Sequence, residues 1–262
     1  MRILVTGASS ELGQHICTLL GEQNHEVIAI DRKAFPTYSL EEGLNASLFV
    51  DIDAIFHLAY DRTAKDYASS RSINVGGTSL LAEAAFDSGI KRFVYISTES
   101  AIPKSKSIYG RVKYETECSI QKIPNVVIIR VGTILGNTPM GPIKKILEYS
   151  NSRLKFLFVP KFWSQLSVFY ISTLLEIERA VVQSLQRDSD SLLTCRIDNR
   201  KRTFHEVVEF QSRYASWDSY ASKIIVTLPL SLNFLTKFLQ LFASLDSNLS
   251  KTLDSLKSLQ NS

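Results

Sequence analysis

Ile3-Leu4-Val5-Thr6-Gly7-Ala8-Ser9-Ser10-Glu11-Leu12-Gly13 is the stretch that decides the fold. Ile3-Leu4-Val5 is an apolar run without polar alternation, as expected of a strand covered on both faces of a parallel sheet. Gly7 permits a tight turn after that strand, and Gly13 permits a helix to pack closely on the sheet. Ser10 and Glu11 occupy the middle of the loop. A Cβ there crowds the approach of a pyrophosphate, and Glu11 adds a negative charge unless it points to solvent. The helix carries an apolar face at Ile16, Leu19 and Leu20 and ends near Gly21. A second strand, 26–30, runs into Asp31. Strand, glycine loop, helix, strand and acidic residue in this order form a dinucleotide-binding unit. The loop residues Gly7, Ser9, Ser10, Glu11, Leu12 and Gly13 are its candidate cofactor contacts. Asp31 is set to accept hydrogen bonds from the adenosine ribose, and its charge repels a 2′-phosphate, which favours NAD over NADP. Arg32 and Lys33 follow at once and supply cations that such a phosphate could use; solvated charges at a strand end are their simpler reading.

The rhythm continues downstream. A short helix is expected over 44–50, a strand over 54–58, a long helix over 73–88 closed by Gly89, and a strand over 92–97. A helix reaching Ile120 and a strand over 126–130 follow. Strands alternating with helices predict a doubly wound α/β fold with a parallel sheet and right-handed crossovers. After Gly132 the pattern loosens into a turn-rich loop, 136–142, and a helix over 142–149. Strands are expected over 155–159 and 166–170, and helices over 171–185 and from 203. A small C-terminal α/β lobe that binds substrate is the expectation here. Residues 1–132 with about 165–187 then form the cofactor domain. About 133–164 and 188–262 form the lobe.

Composition bounds the function. The chain has 262 residues with 45% hydrophobic residues, enough for a full core. A formal charge of +4 is mild and, without zinc-ligand spacing or an aromatic-basic platform, gives no argument for nucleic acid. Three distant cysteines, Cys17, Cys118 and Cys195, read as free thiols in a reducing compartment, so a cytoplasmic location is expected. The chain enters its first strand without a signal-peptide pattern. The apolar stretch 224–243 is interrupted by Pro229, Ser231, Asn233 and Lys237. Packing on its own lobe or on a second subunit is expected before contact with lipid, so membrane association is disfavoured and a homodimer is admitted. A weak apolar stripe of leucines over 245–259 reads as a peripheral helix.

Tyr109 and Lys113 stand four apart, which places both side chains on one helix face. A free phenol titrates near pH 10 and is a poor acid or base at neutrality. A neighbouring lysine cation would move it toward the working range. Upstream, the strand 92–96 runs into Ser97-Thr98-Glu99-Ser100. Ligands of a parallel sheet sit outside the carboxyl ends of its strands, so a hydroxyl there can hold a substrate oxygen while the tyrosine moves a proton.

In these motifs the sequence resembles the extended branch of the short-chain dehydrogenase/reductase superfamily, the NAD-dependent epimerase/dehydratase proteins that act mostly on nucleotide sugars. The resemblance covers about residues 1–210. Thr6-Gly7-x-x-Ser10-x-x-Gly13 resembles its glycine loop, with Ser10 for the central glycine. His57-Leu58-Ala59-Tyr60 resembles the strand end that lines the cofactor, adding Leu58, Ala59 and Tyr60 to its contacts. Asn74-Val75-Gly76-Gly77-Thr78 resembles the start of the central helix, where the asparagine is usually structural; Asn74 is kept among the cofactor-site residues. The strand ending at Thr98 resembles the one bearing the catalytic hydroxyl. Tyr109 and Lys113 match the catalytic pair, and Ile128-Ile129-Arg130-Val131-Gly132 resembles the next strand, with Val131 at the cofactor.

The resemblance implies a Rossmann domain with bound NAD (or NADP), and an epimerase or ketoreductase of a nucleotide sugar with Thr98, Tyr109 and Lys113 as catalytic residues and no metal. It further implies that Lys113 bonds the nicotinamide ribose and that the setting is polysaccharide biosynthesis. The sequence departs from the pattern at Ser10, at Ser39 where an acidic residue often lies near adenine, and in the short loop 98–109, where Ala101-Ile102-Pro103-Lys104 replaces the usual Tyr-Gly. Dehydratases of this group follow the threonine with Asp-Glu; Glu99-Ser100 lacks the second carboxylate. Lys161, Arg200, Lys201 and Arg202 are candidates to hold a diphosphate, and Trp163 and Gln165 to line a sugar pocket. The alternative is a degenerate member that binds a dinucleotide or a partner and catalyses little, an idea motivated by Ser10.

Overall fold

The computed structural model describes residues 1–32, 38–41, 46–64, 66–137, 139–141, 144, 156–160, 167–186, 191–203, 206–207, 209–211 and 224–228. The expectations for Lys33, Lys161, Trp163, Gln165, the helix over 142–149 and the leucine stripe over 245–259 lie outside these residues, as does the apolar stretch beyond Leu228.

Strands β1 (Arg2–Thr6), β2 (Glu26–Ile30), β3 (Ala54–His57), β4 (Arg92–Thr98), β5 (Val126–Val131) and β10 (Ser191–Cys195) form one sheet in the order β10-β5-β4-β3-β1-β2. All five pairings are parallel. The order reverses between β1 and β3, and ligands of doubly wound sheets bind at such a switch point, outside the carboxyl ends. Thr6 and His57, which end those two strands, are partners in the register. Between β2 and β3 a four-residue 3₁₀ turn, Ala46–Phe49, stands where a short helix was expected.

Side chains alternate between two cores. Ile3, Val5, Phe56, Val94, Ile96, Val127 and Ile129 face one layer with Ile16 and Leu20 of α1 (Glu11–Glu22) and Ile177 and Val181 of α5 (Leu174–Gln186). Leu4, Ile55, Phe93, Tyr95 and Ile128 face the other layer with Leu81 and Ala85 of α3 (Gly77–Asp87) and Ile120 of α4 (Ile108–Ile120). Both strand faces are buried, which is why the strands read as unbroken apolar runs.

The long helix begins earlier than its pattern suggests. Asp66 caps α2 (Tyr67–Arg71), its carboxylate accepting from the Ser69 backbone N–H at 2.9 Å. A single π-helical turn, Ser72–Gly76, joins α2 to α3 and carries Asn74.

In the second half, β8 (Ser167–Phe169) pairs with β11 (Arg202–Thr203), β6 (Thr133–Ile134) with β9 (Ile171–Ser172), and β7 (Phe156–Pro160) with β12 (Ile224–Leu228). β10 corrects the expected domain boundary. It hydrogen-bonds to β5 as the sixth strand of the main sheet, so that sheet extends past residue 187. Along this strand burial alternates, with Leu192 and Thr194 exposed and Leu193 and Cys195 buried, as in an edge strand with one covered face. Among the described residues no helix is long and apolar enough to cross a membrane.

Candidate active site

At the switch point, Gly7 adopts φ +72°, and its backbone N–H donates to Ile30 O at 3.0 Å. A Cβ on Gly7 would lie 2.7 Å from Ala59 N, and one on Gly13 would lie 2.4 Å from Gly7 O. Both positions therefore need glycine, Gly7 for its left-handed backbone and for the close approach of the β3 end. Ser10 is the N-cap of α1. Its hydroxyl donates to Gly7 O at 2.8 Å and accepts from Gly13 N–H at 3.0 Å, so it curls back into the loop. Glu11 pairs with Lys144, which neutralises the charge it would bring to a phosphate. Ser9 is exposed beside it, and Leu12 packs against the core. The loop thus offers a helix N-terminus flanked by small residues, the arrangement that accepts a dinucleotide pyrophosphate.

Asp31 follows β2 directly, and its carbonyl accepts from Tyr38 N–H at 3.0 Å. Arg32 is engaged elsewhere: its guanidinium donates to Asp61 at 2.6 Å. Leu58 N–H donates to Thr6 O at 3.1 Å and Ala59 N–H to Thr6 Oγ1 at 3.3 Å, which joins the β1 and β3 loops. His57 is fully buried between Thr6 and Thr78, with Nδ1 2.7 Å and Nε2 3.0 Å from their hydroxyls. Burial, then the Lys113 charge, pull its pKa down to about 3, so it is a neutral packed residue. Asn74 supports the site from beneath. Its Oδ1 accepts from Asp61 N–H at 2.6 Å and its Nδ2 donates to Asp61 O at 3.1 Å, clamping the backbone of the loop after β3.

Ser107 caps α4, accepting from Gly110 N–H at 2.9 Å, and starts the helix two residues before Tyr109. A Cβ on Gly110 would lie 2.5 Å from Ser100 O, so the short loop after β4 is pressed onto the first turn of α4. This brings Thr98, the last residue of β4, to the same end of the sheet as Tyr109. Thr98 Oγ1 accepts from Ser100 N–H at 3.3 Å. Val131 lies beside Thr98 in the β4–β5 register and is buried.

Lys113 is buried, and its Nζ donates to Ile96 O at 2.7 Å. It lies 4.4 Å from the Tyr95 ring centroid and 5.9 Å from that of Tyr109. Burial pulls its pKa down to about 7, with Glu117 opposing and Arg62 reinforcing the shift. Tyr109 is half-buried, packed edge-on against Tyr60 at 4.9 Å. Burial raises its pKa, and the cation that lowers it is Arg62.

Two buried ion pairs lie behind the site, and neither was read from the sequence. Glu117 accepts from Ser97 Oγ at 2.5 Å and from Arg130 Nε at 2.9 Å. Glu99 takes a two-pronged contact from Arg196, at 2.6 and 2.5 Å, and the guanidinium lies 3.7 Å over the Tyr170 ring. Glu99 is therefore held by a cation and is not a spare acid. Glu117 had a signal, since it continues the four-residue spacing of Tyr109 and Lys113; Glu99 and Arg196 are 97 residues apart and had none. Of the expected diphosphate cations, Arg202 pairs with Asp198 at 2.5 Å and Arg200 with Glu206, while Lys201 lies 5.3 Å over Tyr170. Among the described residues no cluster of His, Cys, Asp and Glu could hold a metal.

Residues 3–126 match the family described as NAD dependent epimerase/dehydratase. The match fits the geometry, since it ends where β5 begins and includes the glycine loop, Thr98, Tyr109 and Lys113. Among curated relatives, a 3-beta-hydroxysteroid dehydrogenase of Mycolicibacterium neoaurum is 32% identical over 126 residues, which is 41% of this chain and 34% of the relative. A UDP-glucose epimerase of Bacillus subtilis (strain 168), itself uncharacterised, is 31% identical over 185 residues, or 52% of this chain and 57% of the relative. The chain thus spans about a third of the first relative's length. Among solved structures, MoeE5 in complex with UDP-glucuronic acid and NAD superposes with a TM-score of 0.68 at 20% identity, covering 87% of this chain and 88% of that one. At that identity the likeness concerns the fold.

Proposed function

We propose that this protein is an NAD(P)-dependent epimerase or ketoreductase of a nucleotide sugar. The observation that carries the reading is the buried Lys113 one helical turn from Tyr109, at the carboxyl end of the sheet where the glycine loop and Thr98 also lie. The family match over residues 3–126 supports it, as does the fold shared with proteins solved with bound nucleotide sugars.

Gly7, Ser9, Gly13, Leu58 and Ala59 would hold the pyrophosphate side of the cofactor, and Asp31 the adenosine ribose. When bound, the nicotinamide supplies or accepts a hydride. Tyr109 takes the proton from a sugar hydroxyl in oxidation and returns it to the ketone oxygen in reduction. Thr98 donates a hydrogen bond to that oxygen and holds it in reach of the phenol. Lys113 has further N–H donors beyond the one given to Ile96, and these can meet the cofactor ribose and the Tyr109 oxygen. Arg32, being paired with Asp61, is not positioned as a ready partner for a 2′-phosphate, which favours NAD. The Glu99–Arg196 pair argues against dehydration, which would need a free acid at that place. A cytoplasmic setting and a homodimer complete the proposal.

Incubating the purified protein with a panel of UDP-, GDP- and dTDP-sugars, with NAD or NADH, tests this reading. Turnover of at least one member is expected, and absence of turnover with every member would contradict it.

A further inference from the structure

The glycine loop carries a negative charge of its own. Glu11 is the first residue of α1, directly after the cap Ser10. The free backbone N–H groups and the dipole of that first turn attract an anion, and a carboxylate there takes up part of the attraction that a pyrophosphate would use. Lys144 answers that charge from 133 residues away, its Nζ donating to Glu11 Oε1. Residues ahead of Lys144 are anchored near the loop. Met140 is buried in the same core layer as Ala8 and Ile16, and its N–H donates to Ile134 O at 3.2 Å. Gly136 exchanges two hydrogen bonds with the buried side chain of Gln211, at 2.9 and 2.7 Å. The second half of the chain thus delivers a cation to the start of α1.

We infer that Lys144 is a further determinant of cofactor binding: it screens Glu11 and brings a cation from the second half of the chain to the pyrophosphate. The inference rests on the reading of the Gly7–Gly13 loop as the pyrophosphate site. Both side chains stay partly open to solvent, 37% for Lys144 and 49% for Glu11, so the pair contributes little as a brace and its lysine is free to turn toward a second anion. Glu11 and the pyrophosphate then share one cation. That arrangement gives the two partners opposite effects. Without Lys144, Glu11 faces the phosphates unscreened and binding weakens. Without the Glu11 charge, Lys144 turns to the phosphates and binding strengthens. A pair that only braced the loop would weaken binding when either partner was lost.

Fluorescence titration of the full chain with NADH, at about 50 mM and about 500 mM salt, reads both signs. At low salt Lys144→Gln is expected to raise the Kd about three- to tenfold and Glu11→Gln to lower it about threefold, the scale of partly screened charges. The double variant removes both charges and should return to within about twofold of wild type, and every difference should shrink at high salt. Lys144→Arg keeps the charge and should keep the wild-type Kd. An unchanged Kd in Lys144→Gln, a Kd raised by Glu11→Gln, or a Kd raised as far by Lys144→Arg as by Lys144→Gln would overturn the inference. Wild-type protein without a saturable NADH signal would contradict the cofactor site itself and this inference with it. Wild-type binding with equal Kd in the single variants would remove Lys144 alone and leave the site standing.

Discussion

The two ends of the site are built by different physics. The cofactor end, from Thr6 to Gly13 and on to Ala59, is shaped by backbone: a positive φ at Gly7, a missing Cβ at Gly13, and main-chain bonds to Ile30 and Thr6. The proton-transfer end, from Ser97 to Glu117, is shaped by buried charge: Lys113 on a carbonyl, Glu117 with Arg130, and Glu99 with Arg196. Backbone constraints tolerate a change of pH and fail on adding one methyl group. Buried charges tolerate small changes in shape and fail on losing one partner.

Substitutions at the two ends should therefore fail in different ways. Tyr109→Phe should lower turnover by about 10²–10⁴-fold while leaving NADH binding in place, measured by steady-state kinetics beside a fluorescence titration. Near-normal turnover would remove Tyr109 from the mechanism. Glu117→Ala leaves Arg130 without its partner and Ser97 without its acceptor. A loss of about 2–3 kcal/mol in urea unfolding is expected, because a half-buried cation is left without its partner. Gly13→Ala places a methyl group against the Gly7 carbonyl; about 2–3 kcal/mol of stability and the NADH signal should go together.

Lys113→Met gives the contrast its pH test. The folded pKa of Lys113 is about 7, below its unfolded value of roughly 10.4, so the unfolded chain binds the extra proton between those limits. The wild-type contribution of this residue to stability is thus unfavourable below about pH 7 and fades as pH rises toward 10. The methionine variant, despite losing the bond to Ile96, should unfold at higher temperature than wild type near pH 7, by about 1–2 kcal/mol, with the gap closing toward pH 10. A gap that widens with pH would contradict the sign. Ser10→Gly is the mildest change: the cap is lost at a cost of a few tenths of a kcal/mol, and NADH affinity should hold or rise.

The same contrast explains what could be read from the sequence. Gly7, Gly13 and Asp31 sit at short fixed spacings, because a βα turn is a local object, and their placement at the switch point was legible. The Tyr109–Lys113 face and the helix carrying it were legible for the same reason. The strand over 191–195 was not, since its pattern is that of a half-covered edge and its partner β5 lies 60 residues away. Glu99 and Arg196 were not legible either. Their roles depend on which distant side chain they meet, and surface charges and buried pairs look alike in a sequence. Lys113 shows the limit most clearly. Its spacing located it, but neither its burial nor its bond to the Ile96 carbonyl could be read there.

The central claim is that a dinucleotide binds at the Gly7–Ala59 end and meets Tyr109. Fluorescence titration of the full chain with NADH tests it most directly. Saturable binding below about 1 mM, lost in Gly13→Ala and kept in Tyr109→Phe, is the predicted result. No saturable signal from the folded wild-type protein at millimolar NADH would contradict the account.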